Sequence, residues 1–338
     1  MKTIGKICLG FFFGFIALAI AGIIVLSSSG SLQNICRQFV AFAESHGNYF
    51  FEGDWDFEEH VNFSETKEFT IDGIRVITIN ADASQVDISQ SADADKVSVD
   101  YKSGSKWGGS YNELKTGEQG GALFIEATAE KGWPRIGNHA PTSRLKIVIP
   151  QGYQGDLSLE TTVGKIRLSA MDLKEGALSF DLDAGTLDLD GVKAKNLTLD
   201  ADAATINLSS VAFSGAAEVT LDAGAIKSEG FTAASLKLDS DAAAITLNGL
   251  SAPLQARGSV GALRFSFQEI TGDISIKSDL SSVDLTIPKG APVRLETPQR
   301  VSVNDQISWN GDAPRTMKDA KYTIDIQGNL GSLSLYEN

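Results

Sequence analysis

Two periodicities divide this chain. From Ile7 to Leu26 the sequence ICLGFFFGFIALAIAGIIVL carries no charge and no strongly polar side chain. At about 1.5 Å per residue, a helix of that length spans roughly 30 Å, the hydrocarbon thickness of a bilayer. From Lys67 onward the period is two. Lys67–Asp72, Ile74–Asn80, Val97–Tyr101, Ala122–Thr128 and Leu145–Ile149 alternate apolar and polar residues, which is the pattern of half-buried β-strands. Ser103–Gly121 and Glu130–Thr142, rich in Gly, Ser or Pro, read as excursions between strands. No window beyond the N-terminal run sustains a 3.6-residue period, so the rest of the chain is expected to be all-β.

The central third repeats one template. Units open at Leu157, Leu178, Leu197, Ala217, Leu236, Gln255 and Ile274, with a period of about 19–20 residues. Each holds two short alternating strands joined at a corner of mostly small residues. The corners are Val163-Gly164, Ala184-Gly185, Ala203-Ala204, Ala223-Gly224, Ala242-Ala243, Val260-Gly261 and Leu280-Ser281. Along the first strand Leu178, Phe180, Leu182 and Ala184 project to one side, and Ser179, Asp181 and Asp183 to the other. Leu197, Leu199, Ala201 and Ala203 follow the same inward column, and so do Leu236, Leu238, Ser240 and Ala242. Leu187 and Leu189 turn inward again after the corner. Two strands of four or five residues cannot bury an apolar face alone, whereas stacked copies share one continuous core. A propeller blade needs about 40–50 residues. Leucine-rich repeats need a helical return and an LxxLxLxxN register that this sequence lacks. The pattern predicts a β-solenoid (β-helix) of about 19–20-residue coils.

The apolar run is longer than the roughly 7–15 residues usual in a cleaved secretory signal, and Ser27-Ser28-Ser29-Gly30 makes a poor cleavage site. It is therefore expected to stay as a transmembrane α-helix. Lys2 and Lys6 precede it and the next positive residue is Arg37, which places the N-terminus in the cytoplasm. The expected organisation is a cytoplasmic head over 1–6, a membrane span over 7–26 and a juxtamembrane linker over 27–66. An extracytoplasmic β-solenoid follows over 67–338, with its regular repeats at about 157–290.

The stretch LKIVIPQGYQGDLSLETTVGKIRLSAM resembles the bacterial putative-adhesin family, the domain of unknown function numbered 4097. That family shows a VxVPxG strand end followed by LxVxxxxGxIxL repeats. Ile149-Pro150-Gln151-Gly152 opens the array here, Ile287-Pro288-Lys289-Gly290 echoes it, and Tyr322–Tyr336 adds a late unit. Ala204 and Ala243 depart from the family's corner glycine. The resemblance covers roughly residues 70–338. It implies a β-solenoid in a cell-envelope protein of adhesin-like or envelope-stress systems.

Charge narrows the partners. Acidic residues outnumber basic ones, 43 against 29, for a net charge of -14. Such a surface disfavours nucleic acid, whose affinity comes mainly from Lys and Arg. Two cysteines, Cys8 and Cys36, and three histidines, His46, His60 and His139, give neither a disulfide framework nor a His-based relay in the repeats. Asp183, Asp202, Asp222 and Asp241 fall in one outward column, with Asp181, Asp200 and Asp239 two residues earlier. This column offers a row of weak Ca²⁺ sites, since Ca²⁺ accepts several carboxylate oxygens in flexible geometry; a solvated acidic face is the plainer expectation, and no cofactor is otherwise implied. A β-helix polysaccharide-active enzyme would need a cation beside that row, yet Lys165, Arg167, Lys227, Arg257 and Arg264 scatter over different columns. The expected function is therefore non-enzymatic: a membrane-anchored structural or binding module facing an envelope protein or cell-surface polymer. The alternative is an accessory subunit of an envelope-stress sensing system.

Overall fold

The computed structural model describes residues 61–338 apart from 83, 105–112, 129–141, 280, 297–300, 304–306, 311–319 and 331. The apolar run Ile7–Leu26 and the cytoplasmic head lie outside the described residues, as do both cysteines and all three histidines. Within the described residues every regular element is a β-strand, and no helix is long and apolar enough to cross a membrane.

The regular coils stack with their strands parallel. β8 (Asp156–Ser169) pairs with β9 (Leu178–Asp190) from Leu157↔Leu178 to Ser169↔Asp190. β9 in turn pairs with the first coil of β11 (Leu197–Ser251), starting at Leu197↔Leu178. β11 runs unbroken for 55 residues, because ladder pairing continues around its bends through successive coils. Its last coil pairs with β12 (Leu254–Phe267) by Leu236↔Leu254. β12 then pairs with β13 (Ile274–Ser278) and β14 (Ser281–Ile287). A third, shorter side closes each coil: β10 (Lys193–Ala194) pairs with Ala212 and Phe213, and Lys193 also bridges to Asp172.

The inward columns fill one core. Leu157, Leu178, Leu197, Ala217, Leu236, Leu254 and Ile274 stack along one side, and Ile166, Leu187, Ile206, Ile226, Ile245, Leu263 and Val283 along the next, all buried. On the third side Phe213 packs against Phe231 with ring centroids 5.7 Å apart. Polar residues that enter the core mostly find backbone partners, as a buried hydroxyl must to avoid a desolvation cost. Ser278 Oγ donates to the Gly258 carbonyl at 2.9 Å, and Ser240 Oγ reaches the Arg257 carbonyl at 3.4 Å.

The corners differ from the sequence pattern in one respect. The inward column ends at Leu182, Ala201 and Ser240, which are buried, whereas Ala184, Ala203 and Ala242 are half-exposed. The chain bends one step earlier than strict alternation predicts.

Both ends break the simple coil order. β2 (Val76–Ala81) and β3 (Ser84–Ser91) form a coil laid directly on β8. On its far side lie β6 (Ala122–Thr128) and β7 (Thr142–Pro150), also parallel. Beyond these the pairing turns antiparallel: β5 (Glu113–Gln119) on β6, β4 (Lys96–Gly104) on β7, and β1 (Val61–Thr70) on β4. β1 opens at Val61, ahead of the first alternating segment read from the sequence at Lys67. At the other end β18 (Tyr322–Leu330) and β19 (Ser332–Glu337) pair straight onto β13 and β14, Ile274↔Ile324 and Val283↔Leu333. β15 (Val293–Leu295), β16 (Val301–Val303) and β17 (Ile307–Asn310) lie outside them. The unit that comes last in sequence is thus inserted beneath the one before it, and Asn338 is tied back by its backbone N–H to the Ile287 carbonyl at 2.9 Å.

Candidate functional site: the carboxylate face

The side of the solenoid formed by the strands before the corners carries the predicted acidic columns. Register sets Asp181 beside Asp200 and, through the flanking pairs Leu182↔Ala201 and Ala184↔Ala203, Asp183 beside Asp202. Asp183, Asp202, Asp222 and Asp241 are all exposed. The solenoid repeat fixes their spacing at about 4.8 Å per coil, so backbone hydrogen bonding holds the carboxylates in line whatever they do to one another.

The electrostatics register that crowding. Asp183, Asp202 and Asp222 are all pushed above the usual carboxylate range, first by partial burial and then by neighbouring carboxylates. For Asp183 those neighbours are Asp181, Glu160 and Asp82; for Asp222 they are Asp202, Asp241 and Asp200. Glu160 and Asp82 therefore extend the face toward the N-terminal end. Glu160 was visible in the repeat alignment, since LSLE occupies the place of LSFD and Glu160 pairs in register with Asp181. Asp82 was not, because it comes from the β2 coil outside the regular template; there it accepts a hydrogen bond from Thr162 Oγ1 at 2.7 Å.

The acidic columns end where cations enter. Asp239 lies 3.5 Å from Lys237 Nζ and 3.8 Å from Arg257 Nη1, and Asp241 accepts from Ser259 Oγ at 3.3 Å. The side after the corners is built differently. Arg167 sits between Asp87 at 3.8 Å and Asp188 at 3.9 Å, Asn207 donates to Asp188 at 2.7 Å, and Arg264 meets Asp284 at 3.2 Å. Arg167 and Arg264 are engaged in ion pairs there, away from the acidic row. One side balances its charges while the other leaves a run of like charges.

Among the described residues, no group of three or more His, Cys, Asp or Glu side chains converges on a point where one ion could sit. Asp183, Asp202, Asp222 and Asp241 form a ladder along the axis rather than a cage. Such a ladder can attract cations, or a cationic segment that runs along it.

The row also sets a pH dependence. A carboxyl whose folded-state pKa lies above its unfolded value binds more protons when folded, so stability rises as pH falls through the raised folded value and levels off below the unfolded one, near 3.8. Asp202→Asn with Asp222→Asn should therefore raise the melting temperature slightly at pH 7. The advantage should shrink in high salt, which screens the repulsion, and shrink again as the pH falls toward 4. Thermal melts of both proteins over salt and pH check this. A gain in wild-type stability with millimolar Ca²⁺ that ionic strength does not reproduce, lost in the double variant, would instead make the row a metal site.

Residues 74–304, more than half of the chain, match the family model described as Toastrack DUF4097. The chain belongs to the Toastrack DUF4097 family. Several solved structures align with it, among them two titled for adhesion. One is titled a "putative cell adhesion protein" from Clostridium sporogenes, 11% identical, covering 82% of this chain and 99% of that one, with a TM-score of 0.24. The other is titled a "putative adhesin" from Bacteroides fragilis, 12% identical, covering 81% of this chain and 97% of that one, with a TM-score of 0.36. The comparison with curated proteins found no match. The Toastrack match spans both the coil at β2 and β3 and the regular coils through β14, so the matched residues include the whole carboxylate face of this chain.

Proposed function

We propose that this Toastrack protein is a membrane-anchored, extracytoplasmic, non-enzymatic binding module of the cell envelope. It offers its carboxylate face to an envelope protein or cell-surface polymer that carries positive charge. The observation that supports this most is the contrast between the two sides. Arg167 and Arg264 balance the carboxylates after the corners, whereas Asp183, Asp202 and Asp222 crowd one another. A rigid row of like charges weakens the isolated fold and is relieved when a cationic partner lies along it. Complementary charge of this kind speeds association and selects partners. The anchor is the apolar run Ile7–Leu26, with the β-solenoid on the outer side.

Photo-crosslinking in intact cells tests the reading. A crosslinking residue at Thr198, exposed among the acidic columns, should capture a partner, while one at Ser209, exposed after the corner, should not. Equal capture at both sites, or none at Thr198, would overturn it. The same cells test the anchor: the protein should resist carbonate extraction, and protease added to spheroplasts should degrade the β-domain. An N-terminally trimmed, soluble form in the medium would show a cleaved signal instead.

A further inference from the structure

β1 is a ten-residue strand at the rim of the sheet, and β4 is the one described strand registered against it. Its residues alternate between half-buried and exposed. Phe63, Phe69 and Ile71 pack against the core from the half-buried side, and Phe63 meets Tyr101 at a tilt of 59° with ring centroids 6.0 Å apart. That side of β1, continued into the residue after it, reads Val61, Phe63, Glu65, Lys67, Phe69, Ile71. The order is apolar, apolar, acid, base, apolar, apolar, which is symmetric in polarity and self-complementary in charge about Thr66.

We infer that β1 pairs antiparallel with β1 of a second copy, about a two-fold axis through Thr66. In that register Glu65 stands opposite Lys67 of the partner subunit, Phe63 opposite the partner's Phe69, and Val61 opposite the partner's Ile71. Lys67, Phe69 and Ile71 meet the reciprocal residues. On the outer side Asn62 faces the partner's Thr70, Ser64 the partner's Glu68, and Thr66 its own copy. No like charges meet.

Charges on the inner side of an edge strand ordinarily deter pairing, because a foreign strand would bury them without partners. Here the deterrent is selective. Only a strand presenting base and acid in the reverse order satisfies both, and the two-fold copy does so by construction. Within one chain Glu65 and Lys67 already touch, 3.2 Å apart and about one-third exposed. A solvated pair of that kind contributes little, so exchanging the two intrachain pairs of a dimer for two cross-strand pairs costs little. The dimer would join two sheets edge to edge as β4–β1–β1–β4. The pairing is independent of what the carboxylate face binds.

Sedimentation velocity of the full chain in mild detergent tests the inference. The wild type should be dimeric. Lys67→Glu and Glu65→Lys each set like charges opposite one another twice, and each should weaken the dimer by about tenfold or more. The double exchange Glu65→Lys with Lys67→Glu restores the complementary order and should restore the dimer. An equimolar mixture of the two single variants should form a heterodimer, since one strand is then all basic and the other all acidic at those positions. In a Cys8→Ser, Cys36→Ser background, Thr66→Cys should form an intermolecular disulfide on oxidation, because directly paired Cα atoms lie about 4.5–5.5 Å apart; Thr70→Cys should not. A monomeric wild type would overturn the inference. So would single variants as dimeric as wild type, a mixture that stays monomeric, or no crosslink at position 66.

Discussion

Leu199→Asp should unfold the coils around it, whereas Asp200→Asn next door should leave stability within about 0.5 kcal/mol of wild type. Leu199 is 1% exposed and stacks in register on Phe180, while Asp200 is exposed on the other side of the strand. A carboxylate at Leu199 would either be buried without a partner or be forced to protonate. Either outcome costs several kcal/mol, a large share of the roughly 5–15 kcal/mol that hold a domain together. In a solenoid each coil contacts mainly its neighbours, so the damage should be local and should spread from coil to coil. Urea unfolding followed by circular dichroism compares the two variants, and hydrogen exchange locates the loss. Leu238→Asp, in the same column, should behave alike. Equal, small effects from the Leu and Asp substitutions would mean that the inward and outward columns are misassigned.

The columns were legible because two periods coincide. Alternation names the face of each residue, and the 19–20-residue repeat stacks like on like, so a few units suffice to infer a shared core and an acidic row. What was not legible lies at the ends, where the 19–20-residue repeat lapses: alternation still marks Ile74–Asn80, Val97–Tyr101, Ala122–Thr128 and Leu145–Ile149 as strands, but it says nothing of their order or direction. Of β1 only the part from Lys67 shows in the alternation, because Glu65 and Lys67 interrupt its apolar face and an apolar count over Val61–Thr70 finds only Val61, Phe63 and Phe69. The inserted position of Tyr322–Tyr336 has no local signature at all. Its strands look like any other unit, and only the long-range pairs Ile274↔Ile324 and Val283↔Leu333 place it beneath β15–β17. The acidic face itself was found, but its limits depend on register. Asp239 belongs to the columns by spacing, yet Lys237 and Arg257 take it out of the uncompensated run.

The corner glycines carry the second large prediction: Gly224→Ala should cost far more than Ala204→Gly, although the two positions are equivalent in the repeat. Gly224 has φ +135°, and a Cβ there would lie 2.0 Å from the carbonyl oxygen of Ala204. Gly185 (φ +140°) and Gly261 (φ +149°) meet the carbonyls of Gly164 and Ala243 in the same way, also at 2.0 Å. The clash is therefore with the backbone of the preceding coil, which the ladder holds in place. Glycine at these corners lets one coil close onto the carbonyl of the last. Ala204 and Ala243 are the coils that present the carbonyl, and both are buried without a positive φ. From Gly185 to Gly261 the alternation of glycine and alanine is thus a division of roles between successive coils. Adding a methyl at Gly224 forces a conformation that costs about 1–3 kcal/mol on its own and also pushes two coils apart, so the total should exceed about 3 kcal/mol. Gly191→Ala, at φ +62° with its nearest neighbours 3.9 Å away, carries only the backbone strain and should cost about 1–2 kcal/mol. Removing a methyl at Ala204 should cost about 1 kcal/mol. Chemical denaturation of the three variants gives the order Gly224→Ala, Gly191→Ala, Ala204→Gly. If Gly224→Ala is no worse than Gly191→Ala, the coil-to-coil carbonyl contact does not limit the corner.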